Sequence, residues 1–165
     1  MKNIIKNKLI KSDSVDFLEN MLILKKIPIF EGLSKNDYHT LKKILHFRKY
    51  HPEEFIFKSG TPGLGMYIII EGDAVLSGLD PDGNRIEISQ LSIGESFGEI
   101  SLVSEDYRST DAIAATECKI VSFFRPDLLE IITLSPKLGN KILYNLATIL
   151  GDRLIKTNKL LISDK

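Results

Sequence analysis

Three shortages set the outer limits of this 165-residue chain: one cysteine, three histidines, and no surplus of charge of either sign. The single thiol, Cys118, cannot close an intrachain disulfide and excludes a multi-cysteine metal site. Its setting, Thr-Glu-Cys-Lys-Ile-Val, reads as a strand, where a buried small side chain is the expected role. Lysine plus arginine balance aspartate plus glutamate at 22 each, so no basic field gathers nucleic acid by neutralising phosphates, and there is no acidic tail. His39, His46 and His51 fall on or just after one predicted helix. They do not form the His-x-His strand pattern that a metal-dependent jelly-roll enzyme would need. No Ser-His-Asp or Cys-His constellation stands out, and no internal repeat or low-complexity tract is present. No apolar run is long enough to span a bilayer. The start, "MKNIIKNKLIKSDS", lacks the apolar stretch of about 7–15 residues that a secretory signal carries, so a cytoplasmic location is expected.

What is present divides by periodicity. The length fits one domain, and 43% apolar with 27% charged residues is the composition of a soluble globular chain. "SVDFLENMLILKKIPIF" and "SKNDYHTLKKILHF" read as helices, with Asp13 or Ser14 capping the first. Ser34 caps the second, and Asp37 three residues on completes a capping box. From about residue 49 to 125 the rhythm changes to short strands punctuated by glycine, among them "MYIIIEG", "AVLSGL" and "CKIVSFF". Their spacing predicts a small antiparallel barrel or jelly roll, with Arg85 to Ser89 a half-buried strand by its alternation. After Pro126 the pattern is helical again: "RPDLLEIITLS", then a long segment in which Leu146, Leu150, Leu154 and Leu161 recur on one face.

The segment "FGEISLVSEDYRST" carries the chemistry. Gly98 permits close backbone approach or a positive φ. Residues 99–103 can form one helical turn whose first N–H groups lack partners and cradle an anion. Arg108 offers a permanently charged fork that matches a phosphate, and Ser109 adds a hydroxyl and an amide. Glu99 would repel a phosphate placed against it and suits sugar hydroxyls instead. Carboxylate for hydroxyl, arginine and amides for phosphate: the set fits a small nucleotide. On residue types alone, an intrachain salt bridge between Glu99 and Arg108 is the plainer reading, and both stay open.

In context, this segment resembles the phosphate-binding cassette of the cyclic nucleotide-binding domain family. That pattern runs Phe-Gly-Glu, apolar, small, Leu, a variable loop, then Arg and a small or hydroxyl residue. Here it reads Phe97-Gly98-Glu99-Ile100-Ser101-Leu102, then Arg108-Ser109. "IPIFEGLSKNDYHTLKKIL" is similar to the family's first helices. "FIFKSGTPGLGMYIIIEGDAV" is similar to its early strands, with Gly60 and Gly72 at turns, and "ECKIVSFFRPDLLEII" to its last strand and hinge helix. The resemblance covers about residues 27 to 160.

It implies an α+β fold: an eight-stranded antiparallel β-roll, jelly-roll-like, within one domain covering 1–165. N-terminal helices would occupy 1–48, the roll 49–125 with its cassette at 97–109, and the hinge and lid helices 126–162. By the same resemblance, Glu99 beside the Gly98 backbone accepts from the ribose 2′-hydroxyl. Arg108 pairs with the cyclic phosphate, aided by the Ser101 and Ser109 amides, and Ile100 and Thr110 complete the cassette contacts. Ser101 stands where many members have alanine, a change expected to matter little where the backbone acts. Asp111 stands where relatives are often apolar or hydroxyl-bearing, and by alternation from Ser109 its carboxylate is expected to face the pocket.

"GDRLIKTNKL" resembles the adenine-contacting part of the lid helix in the bacterial catabolite activator branch, with Thr157 and Asn158 after Arg153 as the base-edge pair. The implied ligand is cAMP, with cGMP second because Ser109 is ambiguous. No cofactor, metal or catalytic residue is implied. The expected role is a non-enzymatic sensor acting through its C-terminal helix on a separate protein effector, without direct nucleic-acid or membrane binding. The leucine spacing also allows a homodimer through that helix. The rival reading is the same fold with an empty pocket, serving as an interaction or dimerisation protein, with Asp111 in its favour.

Overall fold

The computed structural model describes residues 20–163. Residues 20–24 are helical, and a 3-10 turn follows at Pro28–Phe30. The first predicted helix therefore stops well before Phe30, because Pro28 cannot donate to a continuing helix; its proposed caps, Asp13 and Ser14, lie outside the described residues. Helix α1 is Lys35–Leu41. The predicted capping box is present: the Asp37 amide donates to Ser34 Oγ (3.3 Å), and the Ser34 amide to the Asp37 carboxylate (2.8 Å). Helix α1 ends six residues short of the predicted Phe47, since His46–Tyr50 is strand β1. Pairing in register with Cys118 to Ser122 satisfies the backbone of this segment as a ladder and overrides its local helical period.

Seven more strands follow: β2 Phe55–Phe57, β3 Gly65–Glu71, β4 Ala74–Leu79, β5 Arg85–Leu91, β6 Ser96–Phe97, β7 Asp111–Ala114 and β8 Cys118–Phe124. They form two four-stranded antiparallel sheets, ordered β1-β8-β3-β6 and β2-β7-β4-β5. Helices α2 (Arg125–Leu134) and α3 (Pro136–Ser163) complete the chain. This is the eight-stranded roll flanked by helices that the sequence implies. Among the described residues no helix is long and apolar enough to cross a membrane.

The unbroken apolar run of β3 has a physical cause. Met66, Ile68 and Ile70 face a core shared with Phe30, Leu41, Leu128 and Ile142, whereas Tyr67 and Ile69 face the interior of the roll with Phe97 and Ile120. A strand buried on both faces has no reason to alternate. Strand β5 is the opposite case. It is an edge strand, and Ile86 and Ile88 are 45% and 53% exposed, so its alternation does not mark a half-buried face.

Helix α3 changes character along its length. Leu138, Ile142 and Leu146 are buried against the first core, and Leu150 packs at its margin. The Asn145 amide also ties the helix to the 3-10 turn, donating to Ile29 O (3.1 Å) and Glu31 O (3.0 Å). Beyond that point the helix leaves the core: Leu154 and Leu161 are 61% and 63% exposed. The leucine line seen in the sequence is thus half core and half surface.

Candidate functional site

The site is built where β6 gives way to a single 3-10 turn, Glu99–Leu102. Its two ends are pinned in different cores, Phe97 inside the roll and Leu102 beneath the helices. Gly98 makes the junction, with φ +75°, and a Cβ there would lie 2.5 Å from Arg108 Nη1. Only glycine meets both the left-handed backbone and the close approach of the guanidinium. On the far side, Arg108 is fixed by its backbone: its N–H donates to Thr61 O and its carbonyl accepts from the Gly60 N–H, both at 2.8 Å.

The Arg108 side chain is buried, 7% exposed, and lies over the Phe57 ring at 4.2 Å. Nη1 donates to Ser101 Oγ (2.9 Å) and Gly98 O (3.2 Å), and Nη2 to Gly65 O (2.6 Å). All three acceptors are neutral. Among the described residues no carboxylate pairs with this guanidinium, and Nε has no partner. Burial pushes its pKa below the ordinary value. A buried cation whose direct hydrogen-bond partners are all neutral is costly unless an anion joins it.

Glu99 is 2% exposed and faces the same space, yet it does not pair with Arg108. One of its oxygens, Oε1, is bound by Arg153 Nη1 from α3, while Oε2 is buried and unpartnered. Arg153 also reaches Ser96 O at 3.3 Å. The plain intrachain salt bridge between Glu99 and Arg108 is therefore not what the structure contains.

Between these groups lies a cavity of about 410 Å³, within the usual range for small-molecule sites. Phe57, Leu76 and Phe97 supply its apolar wall. Gly98, Glu99, Ile100, Ser101, Arg108, Ser109, Thr110 and Arg153 all line it, which brings together eight of the ten predicted contact residues. Thr157 and Asn158 are not among the lining residues and stand exposed farther along α3. They follow Arg153 by about one turn, roughly 6 Å along the axis, after the helix has passed the cavity.

Two further expectations change. Asp111 does not line the cavity. Its Oδ2 pairs with Arg85 Nη2 at 2.8 Å, and its Oδ1 accepts from the Ser59 amide at 2.8 Å. Strands β4 and β5 bring Arg85 across the sheet to meet it, a partner that alternation along β7 alone could not reveal. The Ser101 amide, expected to aid the phosphate, donates to Gly98 O (3.2 Å) within the 3-10 turn, and the Ser101 hydroxyl is one of the three acceptors that hold Arg108. The Phe57 platform and the Gly65 carbonyl were also missed, since both come from strands remote from the cassette. Cys118 is buried, as expected, and among the described residues no His, Cys, Asp and Glu cluster could hold a metal ion.

A buried arginine with neutral partners beside a carboxylate with one open oxygen, set in an antiparallel roll, is an arrangement suited to a small nucleotide. The family model for the cyclic nucleotide-binding domain matches residues 47–134, and the chain belongs to that family. It is 30% identical over 131 residues to the cyclic AMP receptor protein of Thermus thermophilus, covering 79% of this chain and 59% of that protein. The crystal structure of Thermus thermophilus catabolite activator protein superposes with a TM-score of 0.73 at 30% identity, over 81% of this chain and 61% of that one. A cyclic nucleotide-binding domain from Methylobacillus flagellatus gives a TM-score of 0.77 at 23% identity, over 90% of this chain and 84% of that one, a likeness of fold. The chain thus spans about three fifths of the length of the two Thermus thermophilus proteins.

Proposed function

We propose that this cyclic nucleotide-binding domain is a non-enzymatic sensor of cAMP that signals through movement of α3. The observation that carries the reading is Arg108: a buried guanidinium with neutral acceptors only, opening onto a cavity lined by Ser109 and Thr110. A cyclic phosphate supplies the missing negative charge. The free Oε2 of Glu99 accepts from the ribose 2′-hydroxyl. The purine rests against the apolar wall of Phe57 and Leu76.

Arg153 joins α3 to the same carboxylate that would take the sugar, so ligand and helix share one group. Binding can shift the helix only if the contacts differ between its two positions, and Glu99 is where they would differ. The preference for cAMP over cGMP rests on Thr157 and Asn158, which would reach the base edge once α3 closes or a second copy presents its own helix. The effector is proposed to be a separate protein. The exposed Leu154 and Leu161 support a second reading, an interaction or dimerisation module whose cavity stays empty. Asp111 no longer supports that reading, because Arg85 neutralises it.

Calorimetric titration with cAMP, cGMP and 2′-deoxy-cAMP separates these readings. The sensor binds cAMP more tightly than cGMP. Loss of a hydrogen bond to a charged acceptor weakens the deoxy analogue about tenfold or more. If the deoxy analogue binds as well as cAMP, the role given to Glu99 is wrong. If none of the three produces heat, the empty-cavity reading stands.

A further inference from the structure

We propose that the free edge of strand β5 docks a second copy of this chain, which adds its own β5 antiparallel about a two-fold axis through Ile86. The inference concerns a surface outside the cavity and does not depend on which ligand the cavity holds.

Strand β5 ends its sheet, and among the described residues it pairs with β4 alone. Ile86 lies opposite Gly78, and a Cβ on Gly78 would come within 2.9 Å of Ile88 Cδ1. Both isoleucines therefore stand on the face of β4 that carries Leu76. At Leu76 this face walls the cavity; beyond it, Ile86 and Ile88 are exposed and line nothing. Exposed β-branched side chains on an edge strand offer a template to another strand.

The charges on the opposite face decide which strand fits. Arg85 pairs with Asp111 yet stays half exposed, and the exposed Glu87 has no ion pair or hydrogen bond among the described residues. In an antiparallel pair with a two-fold axis normal to the sheet, opposed residues share a face. Centring that axis on Ile86 sets Arg85 of each copy against Glu87 of the other, Ile86 against itself, and Asn84 against Ile88. Centring on Glu87 would oppose two carboxylates, which is unfavourable. Centring on Ile88 would run the ladder through an irregularity, since Ile88 is the extra residue where Leu76 and Ser77 face Ser89 and Glu87. Arg85 to Glu87 is the regular part of the strand, so charge and bulge select the same register. The contact is short beside a standard interface of about 1,200–2,000 Å², so the dimer is a weak one.

The test has two arms. Sedimentation from micromolar to millimolar protein should show a reversible dimer in the wild type. Ile86→Asp places two carboxylates face to face and should raise the dissociation constant at least about tenfold. Glu87→Arg, which opposes Arg85 with a second cation, should weaken it in the same direction and serves if Ile86→Asp fails to fold. The second arm reads the register. Residues opposed across an antiparallel pair have Cα atoms about 4.5–5.5 Å apart, within disulfide range. Ile86→Cys should therefore link two copies under mild oxidation, whereas Ile88→Cys, whose two copies lie four positions apart or roughly 13 Å, should not. Cys118 is buried and does not compete. A chain that stays monomeric at millimolar concentration overturns the inference. So does a dimer that survives Ile86→Asp and is lost in Leu154→Asp, which would put the interface on α3, and so does linkage at 88 in preference to 86.

Discussion

Replacing Arg85 by alanine would strip Asp111 of its counter-charge and leave a carboxylate close to the phosphate site. In the folded protein Arg85 Nη2 lies 2.8 Å from Asp111 Oδ2, and the carboxylate is only 17% exposed. Asp111 follows Arg108 by three residues, at most roughly 10 Å along the backbone. At an effective dielectric constant of about 20–40, two charges at that distance interact by about 1 kcal/mol, close to fivefold in affinity. Arg85→Ala should therefore weaken cyclic nucleotide binding about fivefold, although Arg85 lies outside the cavity. Its cost in stability should stay below about 1 kcal/mol, because the arginine is half exposed and Asp111 keeps the Ser59 amide. Asp111→Asn should bind at least as tightly as the wild type, since it leaves Arg85 uncompensated, and its amide oxygen still accepts from Ser59. The double variant should regain most of the lost affinity. The assay is calorimetric titration of all four proteins as a double-mutant cycle, with denaturant melts for stability. A double variant as weak as Arg85→Ala alone would refute the reasoning, since the liberated carboxylate could not be the cause.

Three other outcomes are expected. Gly98→Ala forces a side chain into a left-handed backbone 2.5 Å from Arg108 Nη1, and should cost about 1–3 kcal/mol in a denaturant melt while weakening ligand binding. Arg153→Ala removes the bond between α3 and Glu99, so amide exchange in the free protein should quicken beyond Leu150 and leave the roll unchanged; equal rates in the two proteins would show that the arginine does not restrain the helix. Glu117, 2.8 Å from His51 Nδ1, holds that imidazole above its ordinary value of 6.5 by a hydrogen bond and by its charge. The contribution is complete below the ordinary value and is lost as pH rises through the raised one. Glu117→Gln should therefore lower the His51 titration midpoint seen by NMR, and the difference in melting temperature from the wild type should vanish at high pH.

The sequence carried the fold wherever a pattern answered to a local cause. Ser34 and Asp37 announce a helix start that is present atom for atom, and the glycines at 60 and 72 sit at positive φ in the turns between strands. The cassette was legible because its residues are nearly contiguous: Gly98 to Ser101 and Arg108 to Thr110 all reach one cavity. Strand β1 was hidden because its residues follow a helical period, and only the ladder with β8 decides their conformation. The surroundings of Arg108 were hidden for a related reason. Phe57 and Gly65 come from other strands, and nothing in the segment itself says which carbonyl or ring will stand beneath the guanidinium. Asp111 shows how alternation misleads when a partner from across the sheet, here Arg85, claims the side chain first. Thr157 and Asn158 mark the remaining limit: helical spacing gives their face relative to Arg153, but not where the helix axis parts from the roll.

The central claim, that the cavity holds a cyclic phosphate against Arg108, meets its most direct test in paired calorimetric titrations of cAMP into the wild type and Arg108→Ala. The account predicts a one-to-one isotherm in the micromolar range for the wild type. For the variant it predicts at least a hundredfold loss, since two or more charge-assisted bonds of about 1.5–3 kcal/mol each disappear. No heat from the wild type up to millimolar cAMP, or equal affinity in the two proteins, would contradict it.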